Sequence, residues 1–141
     1  MKRLCVFCGS ATGTDPRYAD EARALGTLLV RRGWGLVFGG GHIGLMGVLA
    51  DAALQAGGQV IGVIPQALVD RELAHLGLTD LRIVGSMHER KRLMFERADA
   101  FVALPGGIGT LEELAEQLSW VQLERHTKPV VLVDIDGFWQ P

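Results

Sequence analysis

Apolar and polar positions follow two rhythms along the chain. Short apolar runs rich in Val, Ile and Leu occur at Leu4 to Cys8, Gly35 to Phe38, Val60 to Ile64 (closed by Pro65), Leu81 to Val84, Ala100 to Pro105 and Val130 to Asp134. Runs of this length and composition read as strands buried on both faces. Between them, apolar positions recur at helical spacing. Asp15-Pro16 offers an N-cap followed by proline at the first helical position; Ala22, Leu25, Leu29 and Val30 then mark one face of a helix that stops at Gly33. A second helix follows the glycine-rich stretch Gly39 to Gly47 and ends near Gly57-Gly58. A third runs from about Met87 to Ala98, and a fourth turns Leu111, Leu114, Leu118 and Val121 toward the sheet. Gln66 to Gly77 shows neither rhythm clearly and reads as a short helix and a loop carrying Glu72. Strands alternating with helices predict an α/β fold, a doubly wound parallel sheet with helices on both faces. Such sheets bind ligands beyond the carboxyl ends of their strands.

Composition narrows the functional classes. A chain of 141 residues, 48% apolar and with 19 glycines, has the length of one domain and suits a globular protein with many tight turns. The formal net charge is −2, and the basic cluster His88 to Arg92 is short and mixed, so no footprint for a nucleic-acid backbone is expected. The N-terminus turns from basic to apolar as a signal peptide does, but its apolar stretch ends after five residues, and no apolar run is long enough to cross a bilayer. A cytoplasmic protein without membrane partners is the expectation. Cys5 and Cys8 stand three apart in a strand, which turns their side chains to opposite faces and argues against metal or redox use. His42, His75, His88 and His126 show no ligand spacing, so no metal site is expected.

Two glycine loops carry the candidate chemistry, and both follow strand ends. Gly39, Gly41 and Gly44 match G-x-G-x-x-G between a strand and a helix. The dinucleotide fingerprint also wants an acidic residue at the end of the next strand, where this chain has Val60 to Pro65, so NAD is disfavoured. The absence of G-K-[ST] argues against nucleoside triphosphate hydrolysis. A phosphate on the amides of Gly39 to Gly44, Gly40 included, suits the helix dipole. Glycines that only let the loop turn would give the same pattern. Ser10, after Gly9 at the end of the first strand, is placed to donate to a phosphate or a sugar hydroxyl, although serine in a turn needs no ligand.

The second loop, Pro105 to Glu113, joins glycines to two carboxylates. Glu112 and Glu113 point about 100° apart on their helix, so only one can face a given ligand. Either can also be an ordinary first-turn acid stabilised by the helix dipole. A carboxylate beside bound phosphate costs affinity unless it has a task, and cleavage of an N-glycosidic bond provides one: the transition state carries positive charge at C1'. Met87, Arg90, Lys91 and Met94 share one side of the third helix, which would bring two cations to the same edge. Spacing alone favours a solvated face with ordinary ion pairs there.

The motifs Gly39 to Gly47, Met-His-x-Arg-Lys at Met87 to Lys91 and Pro-Gly-Gly-x-Gly-Thr-x-x-Glu at Pro105 to Glu113, in this order and spacing, resemble those of the Lonely Guy proteins. These are cytokinin riboside 5'-monophosphate phosphoribohydrolases, long labelled lysine decarboxylases. The resemblance runs from Phe7 nearly to the end of the chain. It implies a Rossmann-like domain, commonly a homodimer with the pocket near the interface, that hydrolyses a nucleoside 5'-monophosphate to free base and ribose 5-phosphate without metal or cofactor. It implies Arg90 and Glu113 as the catalytic pair, and Lys91, Gly106, Gly107, Gly109, Thr110 and Glu112 in the nucleotide site. Glu72 and Ser119 match further substrate contacts. An N6-isopentenyl group on the base would need an apolar slot, for which Met46, Met87, Met94 and Trp120 are candidates, though core packing explains them equally. Family members continue beyond Asp136 to Phe138 through a helix that covers the sheet, whereas this sequence stops at Pro141: either it is truncated there or the last element is absent, and residues 1–141 are expected to form one domain. No lysine sits in a recognisable pyridoxal phosphate context. A nucleotide-binding module without turnover is the alternative reading.

Overall fold

The apolar runs become the strands. The computed structural model describes residues 1–8, 16–104 and 128–132. Within them lie β1 (Arg3–Phe7), β2 (Gly35–Phe38), β3 (Val60–Pro65), β4 (Asp80–Val84), β5 (Ala100–Ala103) and β6 (Val130–Leu132). The helices are α1 (Pro16–Arg31), α2 (Gly44–Gln55) and α3 (Met87–Arg97). The strands form one sheet in the order β4-β3-β2-β1-β5-β6, and every neighbouring pair is parallel. The segment between β3 and β4 holds a single 3-10 turn, Gln66–Leu68. The fourth expected helix, through Leu111 to Val121, lies outside the described residues.

Side chains alternate across the sheet as the pleat requires. Val6, Leu36, Phe38, Val60 and Val102 pack with Ala22 and Leu29 of α1 and Leu45, Leu49 and Ala53 of α2. Cys5, Phe7, Val37, Ile61, Val63, Phe101 and Ala103 pack on the other side with Met94 of α3 and Ala98. Cys5 belongs to this second layer, while Cys8 packs against the first. β2 and β3, at the middle of the sheet, are buried throughout and apolar without alternation because both of their faces are covered, whereas β4 at the edge is partly exposed and carries Asp80 and Arg82.

The helices are held by particular residues. Gly26 sits where α1 crosses α2: a methyl group there would lie 2.6 Å from the Leu49 carbonyl oxygen and 3.1 Å from Ala52 Cβ. At the start of α3, the Glu89 amide donates to Ser86 Oγ at 3.2 Å, and the Glu89 carboxylate accepts from the Gly85 amide at 3.0 Å. This approximates a capping box and fixes where the helix begins. At its other end the Lys128 ammonium donates to the carbonyls of Phe95 and Ala98 at 2.8 and 2.6 Å, a cation on the negative end of the helix dipole.

The chain builds β1 to β4 toward one edge, and α3 then carries it back past β1 to β5. The strand order reverses between β1 and β5, and ligands of such sheets bind above the carboxyl ends at that reversal. β2 and β5 are separated by β1 alone, so their carboxyl ends stand about 10 Å apart, the scale of a nucleotide.

Candidate functional site

Phe38 ends β2 and delivers the chain into Gly39, Gly40 and Gly41, all buried at the carboxyl edge of the sheet. Gly40 has φ +79°, a left-handed conformation that a side chain would strain. Gly39 is required by close approach, because a Cβ there would run into Arg90 Nη2 and lie 3.3 Å from Met46 Sδ. Gly44 opens α2 behind an N-cap residue, Ile43, that has no side-chain acceptor to offer the first turn. The loop follows β2, one strand away from the reversal point, and β3 after it presents no carboxylate.

Arg90 is the centre of the described site. It lies at the end of the first turn of α3 and is 5% exposed. Its Nε–H donates to the Val63 carbonyl at 2.9 Å, and Nη2 donates to the Gly39 carbonyl at 2.6 Å and to Glu72 Oε1 at 3.0 Å. Among the described residues Nη1 meets the Met87 thioether at 4.0 Å, which leaves that nitrogen hydrogen-bonding capacity. A solvated, ordinary ion-paired face therefore describes only part of α3. It fits the exposed Arg92–Glu96 pair at 3.1 Å but not Arg90, whose burial follows from carbonyls of two other elements. Lys91 is half-buried beside it.

Glu72 enters through a strap that local pattern did not reveal. The His42 amide donates to the carbonyls of Glu72 and Leu73 at 2.9 and 2.7 Å, and the His75 amide donates to the Gly40 carbonyl at 2.8 Å. Gly41 and Ala74 form an antiparallel bridge. The strap is thus sewn onto the glycine loop by main-chain bonds, and Glu72, with its side chain 20% exposed, reaches Arg90 from there.

The methionines separate by environment. Met46 (3% exposed) underlies the glycine loop within the α1–α2 layer, and Met94 (2%) belongs to the opposite core layer, where it cannot line a slot. Met87 is 43% exposed beside Arg90. Sequence spacing also missed a cluster: His42, Asp51 and His75 bring potential ligand atoms within 4.8 Å of one another. Their wide separation along the chain leaves no local signal. β5, which leads into the second glycine motif, ends on the same edge, where the Leu104 amide donates to the Phe7 carbonyl at 2.9 Å. Ser10, Gly106, Gly107, Gly109, Thr110, Glu112, Glu113, Ser119 and Trp120 lie outside the described residues.

The family model described as "Possible lysine decarboxylase" matches residues 46–141, which include Arg90 and the motif Pro105 to Glu113. The chain belongs to this family, the Lonely Guy family. Among its Lonely Guy relatives, the cytokinin riboside 5'-monophosphate phosphoribohydrolase LOG of Oryza sativa subsp. japonica is 53% identical over all 141 residues, which cover 58% of that protein. The enzyme of that name numbered LOG1 in Arabidopsis thaliana is 50% identical over 139 residues, 99% of this chain and 65% of its own length. The chain therefore spans about three-fifths of the Lonely Guy proteins it matches. A solved structure of the Moco carrier protein from Chlamydomonas reinhardtii superposes with a TM-score of 0.76 at 26% identity, covering 94% of this chain and 75% of that one. The α/β parallel sheet is shared with these neighbours. Among the described residues no helix is long and apolar enough to cross a membrane.

Proposed function

We propose that this protein hydrolyses the N-glycosidic bond of adenosine-type 5'-monophosphates, AMP or its N6-prenylated form, to the free base and ribose 5-phosphate. The observation that carries the proposal is the buried Arg90, bound to Gly39 and Glu72 at the carboxyl edge of the sheet, in a chain about half identical to phosphoribohydrolases. The relatives' names supply the reaction, and the place of Arg90 and Glu113 in the Met-His-x-Arg-Lys and Pro-Gly-Gly-x-Gly-Thr-x-x-Glu motifs supports extending it to this chain.

In the proposed mechanism the amides of Gly39 to Gly44 and of Gly106 to Thr110 hold the 5'-phosphate. Glu113 accepts a proton from water as the water oxygen bonds to C1'. The bond from C1' to the base nitrogen breaks, its electron pair leaves with the base, and the proton is returned there. Positive charge on the ribose peaks between these events, and the carboxylate offsets it. Arg90 orients the substrate and, with Glu72, keeps the site's charge balanced; Lys91, Glu112, Ser10 and Ser119 complete the substrate contacts. Met87, exposed beside Arg90, suits the apolar part of an N6 substituent.

The purified protein, incubated separately with AMP and isopentenyl-AMP, is expected to release base and ribose 5-phosphate in equal amounts. A second reading, binding without turnover, is favoured by the likeness to a carrier protein. Stoichiometric nucleotide binding with no product from either substrate would favour it. The proposed hydrolase is a homodimer in the cytoplasm; sedimentation is expected to return twice the mass of one chain.

A further inference from the structure

His42, Asp51 and His75 have no part in the reaction as described, yet His75 is 6% exposed, unusual for a histidine in a turn-rich segment. The Gly77 amide donates to its Nδ1 at 3.1 Å, so the proton of the imidazole sits on Nε2. Nε2 in turn donates to Asp51 Oδ1 at 2.6 Å, a short charge-assisted bond. His42 packs its ring against His75, centroids 4.4 Å apart, with Nε2 3.5 Å from Asp51 Oδ2. Asp51 belongs to α2, whose buried face is part of the α1–α2 core layer. His75 belongs to the strap that carries Glu72. That strap includes Leu73 at φ 48°, a left-handed conformation that a leucine holds only when its surroundings impose it.

From this arrangement we infer that the His75–Asp51 pair, buttressed by His42, is a latch that ties the strap to α2 and thereby positions Glu72 on Arg90. His75 and Asp51 are positioning residues; neither touches Arg90. The same side chains do not suit a transition metal in this arrangement. Two ligands of one tetrahedral zinc stand about 3.3 Å apart, and His75 Nε2 and Asp51 Oδ1 are at hydrogen-bond distance with the proton between them. The inference rests on the reading of Arg90 and Glu72 as part of the reaction site, but its structural half can be tested without that reading.

The test uses Asp51→Ala, whose side chain is 46% exposed and whose loss leaves the core layers intact. Amide hydrogen exchange is followed at His42 and His75, whose N–H groups bond the loop to the strap, with the β1 and β5 amides as internal references. The latch predicts exchange at least about tenfold faster at those two amides and unchanged in the references. Unchanged protection at His42 and His75 overturns it. In parallel, kcat/KM for AMP is expected to fall about 10- to 100-fold in Asp51→Ala. In a Glu72→Gln background the same substitution should change it less than about threefold, because both act through one contact. Fully additive losses overturn the positioning role. Lost protection together with a wild-type protein that cannot cleave AMP would uphold the latch and overturn the proposed reaction instead. Micromolar zinc binding that Asp51→Ala abolishes would replace the latch with a metal site.

Discussion

Arg90 commits three of its donor contacts to the fold and keeps its permanent charge at the rim of the site. A lysine in its place would keep the charge but lose the planar fork that reaches Val63, Gly39 and Glu72 together. Arg90→Lys is expected to lower AMP cleavage at least about 100-fold and stability by about 2–4 kcal/mol, since buried carbonyls lose their donors; steady-state kinetics and urea unfolding measure the two. Gly39→Ala tests the same junction from the other side. Its methyl group would displace Arg90 Nη2, so activity should fall while the glycine loop remains folded, with a loss of about 1–3 kcal/mol. Wild-type kinetics in Gly39→Ala would show that Arg90 can move without consequence. Local spacing could not foresee this environment. It put Arg90 on a helix face among charged neighbours, and the carbonyls that bury it come from β3 and from the loop after β2, distant in sequence.

At the scale of elements, apolar runs and caps were legible because their causes are local. Every strand and helix within the described residues stands where its pattern put it, to within a residue or two at most ends. β5 ends at Ala103, two residues before its expected limit, and residues 133 and 134 of the expected sixth strand lie outside the described residues. The strap from Glu72 to His75 was not legible, since it is held by main-chain bonds to Gly40 and His42 rather than by periodicity. The α1–α2 crossing gives a direct test of packing. In an isolated helix Gly26→Ala would stabilise by about 1 kcal/mol. Here the added methyl meets the Leu49 carbonyl, which cannot move independently of α2, so a net loss of about 1–2 kcal/mol in urea unfolding is expected. A gain would mean that the two helices separate easily.

The whole molecule brings together what the chain keeps far apart. Parallel strands deliver β2 with its glycine loop, and β5 leading to the second motif, to one edge, and α3 returns Arg90 to that edge from the opposite layer. The family model covers residues 46–141, the similarity to the relatives runs over the whole chain, and those relatives extend well beyond the length matched here. As proposed, this edge cleaves a nucleoside 5'-monophosphate with Glu113 supporting the cation at C1'. The most direct measurement compares wild type with Glu113→Gln, following free base and ribose 5-phosphate from AMP and isopentenyl-AMP alongside nucleotide binding. Equimolar products are expected from the wild type, and a loss of about 10²- to 10⁴-fold in the variant with binding retained. Undiminished hydrolysis by Glu113→Gln, or binding without any product by the wild type, would contradict it.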